Sequence, residues 1–215
     1  MRSGSRHGVL QWKPTELALL KKLRSPAAVQ AFLDTLPYSA DDFSRCPRSV
    51  IRDGKANCYD GALFAAAALR RLGFPPLILN MRAVRDDDHV IAPFRRGSEF
   101  GAVAKSNFVG LRFRDPVYKS LRELVMSYFD DFYNTAREKT LRAYSMPLDL
   151  RPFDRFDWMT TDGHVELIAD KLDAQRHVPV LPRGGEARLV RTDDRSFSAG
   201  LLGANAAGLY KVPGS

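Results

Sequence analysis

The chain is 215 residues long, 45% hydrophobic and 27% charged, with a net charge of +8; these values exclude a disordered or fibrous chain and accommodate one domain with a core of its own. Its two cysteines, Cys46 and Cys58, are too few for a disulfide scaffold and lack CxxC spacing for a metal, which fits a reducing compartment. No apolar run approaches membrane-spanning length and Met1–Gly8 leads into no signal-peptide core, so a cytoplasmic protein without a membrane partner is expected.

In chain order, residues 1–13 read as a frayed leader, and 14–23 as a short helix with Leu17 and Leu20 on one face. Ser25-Pro26 caps a second helix, which carries Val29, Phe32 and Leu33 and stops before Pro37. Residues 38–52 are turn-rich and polar, and are expected to wrap toward the next helix. That helix opens at Asn57, a good N-cap, and ends at Gly73 before Pro75 and Pro76. Its body, Leu63, Phe64, four alanines and Leu69, has no polar face, so it belongs in the middle of the domain.

Residues 77–84 read as a buried strand and 85–88 as an acidic turn. The runs 89–94 and 100–104 form a β-hairpin around the polar loop 95–99. Residues 108–114 add a further strand or an extended return. Asp115-Pro116 breaks the chain, Ser120 and Glu123 make a capping box, and the helix beyond aligns Leu121, Leu124, Val125, Tyr128 and Phe132. Residues 134–165 read as irregular, 165–172 as helical, 188–192 as a late strand, and the glycine- and alanine-rich end as poorly ordered. The expected whole is a single α+β domain, with a helical lead-in and core over 14–135 and an irregular extension, 136–215, packed on it.

The chemistry centres on Cys58. It falls in the first turn of the buried helix, where unpaired N–H groups and the positive end of the dipole favour a thiolate and can hold an oxyanion. Standing alone, such a cysteine reads as a small apolar filler. His89 follows 89 − 58 = 31 residues later, at the start of a strand. A strand end is a rigid platform for a base, so the two form a candidate nucleophile–base pair. The acidic run Asp86–Asp88 favours a charged imidazole. As a divalent-cation site that run is outweighed by the solvated turn it more simply makes, and no metal is expected. Asn57 and Tyr59 flank Cys58 as candidates for the oxyanion or cleft, Asn57 being first of all the helix cap. Tyr38 reads as packing or cleft wall. Cys46 reads as a bystander or as a resolving thiol for an oxidised Cys58. His7, His164 and His177 read as surface residues.

The stretch 54–61 around Cys58, Asp88-His89-Val90 at a strand start, and the hairpin that follows resemble the transglutaminase-like branch of the papain-like cysteine proteins. The likeness covers residues 45–120, about a third of the chain. The phrases at 61–69, 104–108 and 120–124 are similar to an uncharacterised bacterial family with the same core. The resemblance implies a transglutaminase-like or papain-like core, with the Cys58 helix packed on an antiparallel sheet. It also implies thiol-dependent amide chemistry, hydrolysis or acyl transfer, on a peptide or amide substrate. Cys58 would be nucleophile and His89 base and acid, with no organic cofactor.

That pattern carries an aspartate at the end of the second hairpin strand, and here the count reaches Lys105 or Ser106 instead. Asn107 is the nearest group able to orient an imidazole, and Asp115, before Pro116, arrives about a strand later; both stay open. Two alternatives are a non-catalytic binding module on the same fold and a basic nucleic-acid-binding protein. The basic residues are spread in pairs such as Lys21-Lys22 and Arg70-Arg71, which reads as solvated surface ahead of nucleic-acid recognition.

Overall fold

The computed structural model describes residues 12–212; most of the expected leader, with His7, and the last three residues lie outside them. Helices α1 (Pro14–Lys22) and α2 (Pro26–Thr35) lead in, the second capped by Ser25 Oγ, which accepts from the Ala28 N–H at 3.1 Å. The stretch read as turns contains a short helix, α3 (Pro47–Asp53). Two turns are too few for a hydrophobic period to show, and its N-terminus has no side-chain cap. Next comes α4 (Cys58–Arg71), closed by a reciprocal cap. Asn57 Oδ1 accepts from the Asp60 N–H at 2.9 Å, and the Asp60 carboxylate accepts from the Asn57 N–H at 3.3 Å. Every side chain from Asp60 to Leu69 is buried, as an all-apolar helix requires.

The strands are β1 (Leu77–Ala83), β2 (His89–Arg96), β3 (Glu99–Val103), β4 (Arg114–Tyr118), β5 (Leu141–Ser145), β6 (Leu148–Asp149) and β7 (His177–Pro179). Helices α5 (Leu121–Met126), α6 (Val165–Asp173) and α7 (Asp194–Gly200) complete the set. The fold is α+β. Its seven-stranded sheet has the order β4-β3-β2-β1-β5-β7, with β6 beside β1, and the pairings are antiparallel. Alternate side chains enter two cores. Ile78, Val90, Ala92 and Val103 pack with α4 on one face, while Leu79, Met81, Ile91 and Ala102 pack with Leu124, Tyr128 and Phe132 on the other. A sheet covered on both faces explains why β1 and β2 read as continuous apolar runs.

Gly61 sets how closely α4 approaches the chain leaving β3. A Cβ at Gly61 would lie 2.3 Å from Lys105 Cβ, so only glycine fits. Lys105 is itself buried. Its ammonium donates to the Leu33 carbonyl at 3.0 Å and to the Leu36 carbonyl, tying the end of the hairpin to α2.

Three expectations are corrected. Asp115-Pro116 does not break the chain but lies within β4, at the sheet edge, where a missing N–H does no harm. The stretch 134–165 supplies β5, a direct partner of β1; its five residues are too few and too mixed in polarity to show a strand period. The late strand is β7 rather than 188–192. It pairs His177 with Ser145 and leaves that histidine half-buried rather than on the surface. Among the described residues no helix is long and apolar enough to cross a membrane.

Candidate active site

The capped N-terminus of α4 places Cys58 at the helix mouth, half-buried. Among the described residues the Tyr59 N–H makes no hydrogen bond and is the free donor of that first turn, while the Cys58 N–H faces the Tyr38 hydroxyl oxygen. Cys58 Sγ donates to the Asp88 carbonyl at 3.7 Å. The Val90 N–H and the Tyr38 hydroxyl face the sulfur as donors, which favours a thiolate; burial outweighs them and pushes the thiol pKa up.

His89, the first residue of β2, is 4% exposed. Its Nε2 lies 2.8 Å from the Leu111 carbonyl, so Nε2 carries the proton and donates, and Nδ1 is the basic nitrogen. Phe132 stands edge-on to the ring at 6.3 Å. Nδ1 makes no hydrogen bond to a described residue, and none links His89 to Cys58. Burial pushes the imidazole down to about 4. The expected thiolate–imidazolium pair is therefore not the resting state: both groups are neutral, because desolvation disfavours both charges.

The acidic run does not reach the ring. Asp88 accepts from Asn80 Nδ2 at 2.7 Å and from the Ala83 N–H at 2.8 Å, and Asp86 accepts from Thr140 Oγ1 at 2.7 Å. Burial pushes Asp86 up to about 6. These bonds pin the turn so that the Asp88 carbonyl is presented to Cys58. Among the described residues no group of three or more metal-ligating side chains occurs.

Cys58, His89, Asn107 and Tyr38 border one cavity of about 40 Å³. An open cleft of about 500 Å³, bordered by Tyr38, Asn57, Cys58 and Tyr59, lies outside it. Asn107 is thus beside His89, but its amide is engaged elsewhere. Its Oδ1 accepts from the Asn205 N–H at 2.8 Å and its Nδ2 donates to the Asn205 carbonyl at 2.9 Å. Asp115 is exposed on β4. Neither side chain holds the imidazole; the Leu111 main-chain carbonyl does. Tyr59 turns its hydroxyl away to the Val165 carbonyl, at 2.6 Å. Cys46 is fully buried, its thiol 3.5 Å from Ser49 Oγ. His164 is exposed and packs at a tilt against Phe156, ring centroids 4.9 Å apart.

Two features of the cleft had no readable signal. A main-chain acceptor such as the Leu111 carbonyl has no sequence signature. The segment bearing Gly208 and Tyr210, which lines both cavities, lies about 150 residues beyond Cys58 and carries no motif. Tyr38 is both cleft wall and sulfur neighbour.

No family model matches this sequence, and no curated protein matches it. Among solved structures the chain is similar to Legionella pneumophila LapG, with 17% identity, 70% of this chain and 80% of that chain covered, and a TM-score of 0.36. It is also similar to EGTA-treated Legionella pneumophila LapG, with 18% identity, the same coverage and a TM-score of 0.34.

Proposed function

We propose that the chain carries out thiol-dependent amide chemistry, hydrolysis or acyl transfer, of the transglutaminase-like kind. One observation carries the reading. Cys58, at a helix mouth where the Tyr59 N–H is a free donor, and His89, held by Nε2 with Nδ1 unengaged, border the same small cavity. From neutral partners the step is general-base catalysis. His89 Nδ1 takes the thiol proton as Sγ attacks the carbonyl carbon. The Tyr59 N–H, joined by the Cys58 N–H when it leaves the Tyr38 hydroxyl, donates to the developing oxyanion, and the imidazolium returns its proton to the leaving amine. Water or a second amine then takes the acyl group from sulfur. The Leu111 carbonyl takes the place of a side-chain orienter: it fixes the tautomer, and as a neutral acceptor it leaves the imidazole weakly basic.

Acetylation of Cys58 by nitrophenyl acetate, read by intact mass with Cys46 as internal control, tests this. His89→Gln keeps a donor for the Leu111 carbonyl but cannot take a proton. It should slow Cys58 acylation about 10²-fold. Equal acylation in the two chains removes His89 as base and the reading with it. The second reading, a non-catalytic binding module on the same fold, is favoured by the lack of a Cys58–His89 hydrogen bond. It predicts that equality.

A further inference from the structure

We infer that the segment 204–212 is a strap that holds the Cys58–His89 cavity closed, and that a substrate meets the thiol and the base together only when this strap lifts. The inference deepens the reading of this cleft as a substrate site and rests on it for its consequence, inhibition in cis; the closure itself is tested without it.

The first observation is size. The cavity shared by Cys58 and His89 is about 40 Å³, room for a few waters at most. No peptide or side-chain amide fits there. The larger cleft of about 500 Å³ borders Cys58 but not His89, so a ligand lying in it as it stands meets the thiol without the base. Gly208 and Tyr210 wall both spaces. Moving them joins the two.

The second observation is how the strap is fastened. Asn205 offers its N–H and carbonyl to the Asn107 amide, as a neighbouring strand would. Its own side chain donates to the Tyr38 carbonyl at 2.9 Å and caps the turn that follows, accepting from the Ala207 N–H at 3.1 Å. Gly208 then lies against the Tyr38 ring, where a Cβ would come within 2.9 Å of Cδ1. Thr135 Oγ1 donates to the Tyr210 carbonyl at 3.2 Å, and Val212 is buried. The side chains that grip the strap, Tyr38 and Asn107, are themselves walls of the Cys58–His89 cavity.

The third observation is that the grip on the first half of the strap is polar and narrow. Ala206 and Ala207 are exposed, and the apolar burial of the segment is concentrated in half-buried Leu209 and Tyr210 and buried Val212, so 204–208 is held mainly by the Asn205 hydrogen bonds. Such a segment belongs to the low-stability end of a fold and opens without global unfolding.

The test is the rate of Cys58 alkylation by iodoacetamide in the full-length chain, with the buried Cys46 as a built-in monitor of unfolding. Gly208→Val forces the strap off the Tyr38 ring. Asn205→Ala removes two side-chain hydrogen bonds, touches no core residue, and decides the matter if Gly208→Val unfolds. Each should raise the Cys58 rate, by about fivefold or more for Asn205→Ala, the change in open population expected for losing a hydrogen bond of ordinary strength. Cys46 stays unmodified throughout. Adding His89→Gln to either variant leaves this gain in place, because access does not depend on the base. Unchanged Cys58 rates in Asn205→Ala, or a rise in which Cys46 follows Cys58, overturn the strap. Loss of acylation in His89→Gln bears only on the catalytic reading.

Discussion

On one side of the α4 mouth Arg45, 1% exposed, is bonded to Asp53 at 2.9 Å, to Asp60 at 3.5 Å, to Ser39 at 3.1 Å and to Asp41. On the other side Cys58 and His89 stand uncharged around a cavity, with no bond between them. Both groups of residues are attached to the same first helical turn. Asp60 joins them, accepting the Arg45 N–H at 2.7 Å and the Asn57 N–H beside Cys58. The charged side is saturated with partners, which keeps buried charge tolerable and the helix mouth rigid. On the thiol side one polar atom, His89 Nδ1, is left without a partner among the described residues. A base that is to accept a proton needs an unengaged nitrogen, and that is affordable only where the neighbouring frame is fixed.

Breaking the charged side should have the largest effect. Arg45→Leu leaves the Asp60 carboxylate, fully buried, without its counter-charge, at a cost of about 3–5 kcal/mol, a large part of a domain's total stability. Burial already raises the Asp60 pKa, so the folded state holds that proton more tightly than the unfolded chain does. The deficit should therefore shrink as pH falls and Asp60 protonates. Urea unfolding of both chains at neutral and acid pH measures this. A deficit that does not change with pH would mean that Arg45 acts through packing rather than charge.

The neutral side should show itself in acid. The unfolded chain protonates its histidine near 6.5, whereas folded His89 does so only near 4. As pH falls through that window the unfolded state binds the extra proton, and the fold loses up to about 3 kcal/mol. His89→Gln has no such proton to bind. Asp86, pushed up to about 6, acts in the opposite direction, but equally in both chains, so it cancels in their difference. Urea unfolding at pH 7.5 and pH 4 should find the native chain losing about 3 kcal/mol more than His89→Gln. Equal losses would mean that the imidazole is solvated and ready to charge.

The asymmetry was only half legible in the sequence. Cys58 at a capped, wholly apolar helix and His89 at a strand start follow from local rules, because caps and periodicity are written within a few residues. The α+β architecture followed from the same signals. The protonation states did not follow: proximity of Asp86–Asp88 in sequence suggested a charged imidazole, while the carboxylates of Asp86 and Asp88 are bonded to Thr140, Asn80 and the Ala83 N–H. Desolvation is a property of the packed fold, and no short stretch encodes it. Asn107 was placed beside the site by counting along the hairpin, yet what its amide binds is Asn205, almost a hundred residues away. Long-range pairing of this kind and main-chain acceptors such as Leu111 are set by topology alone.

Tyr38→Phe makes the smallest change and the sharpest separation of charge from access. The hydroxyl steadies a thiolate at Cys58, so its removal should move the pH midpoint of Cys58 alkylation upward. It should cost about 1 kcal/mol or less in stability, the scale of one hydrogen bond. The main-chain carbonyl that accepts from Asn205 Nδ2 and the ring that Gly208 packs on are both retained, so the alkylation rate at high pH, where the thiolate is fully formed, should stay as it was. A midpoint that holds while that limiting rate rises would give the hydroxyl a role in keeping the cavity shut, and would move Tyr38 from the electrostatics of the thiol to the fastening of the strap.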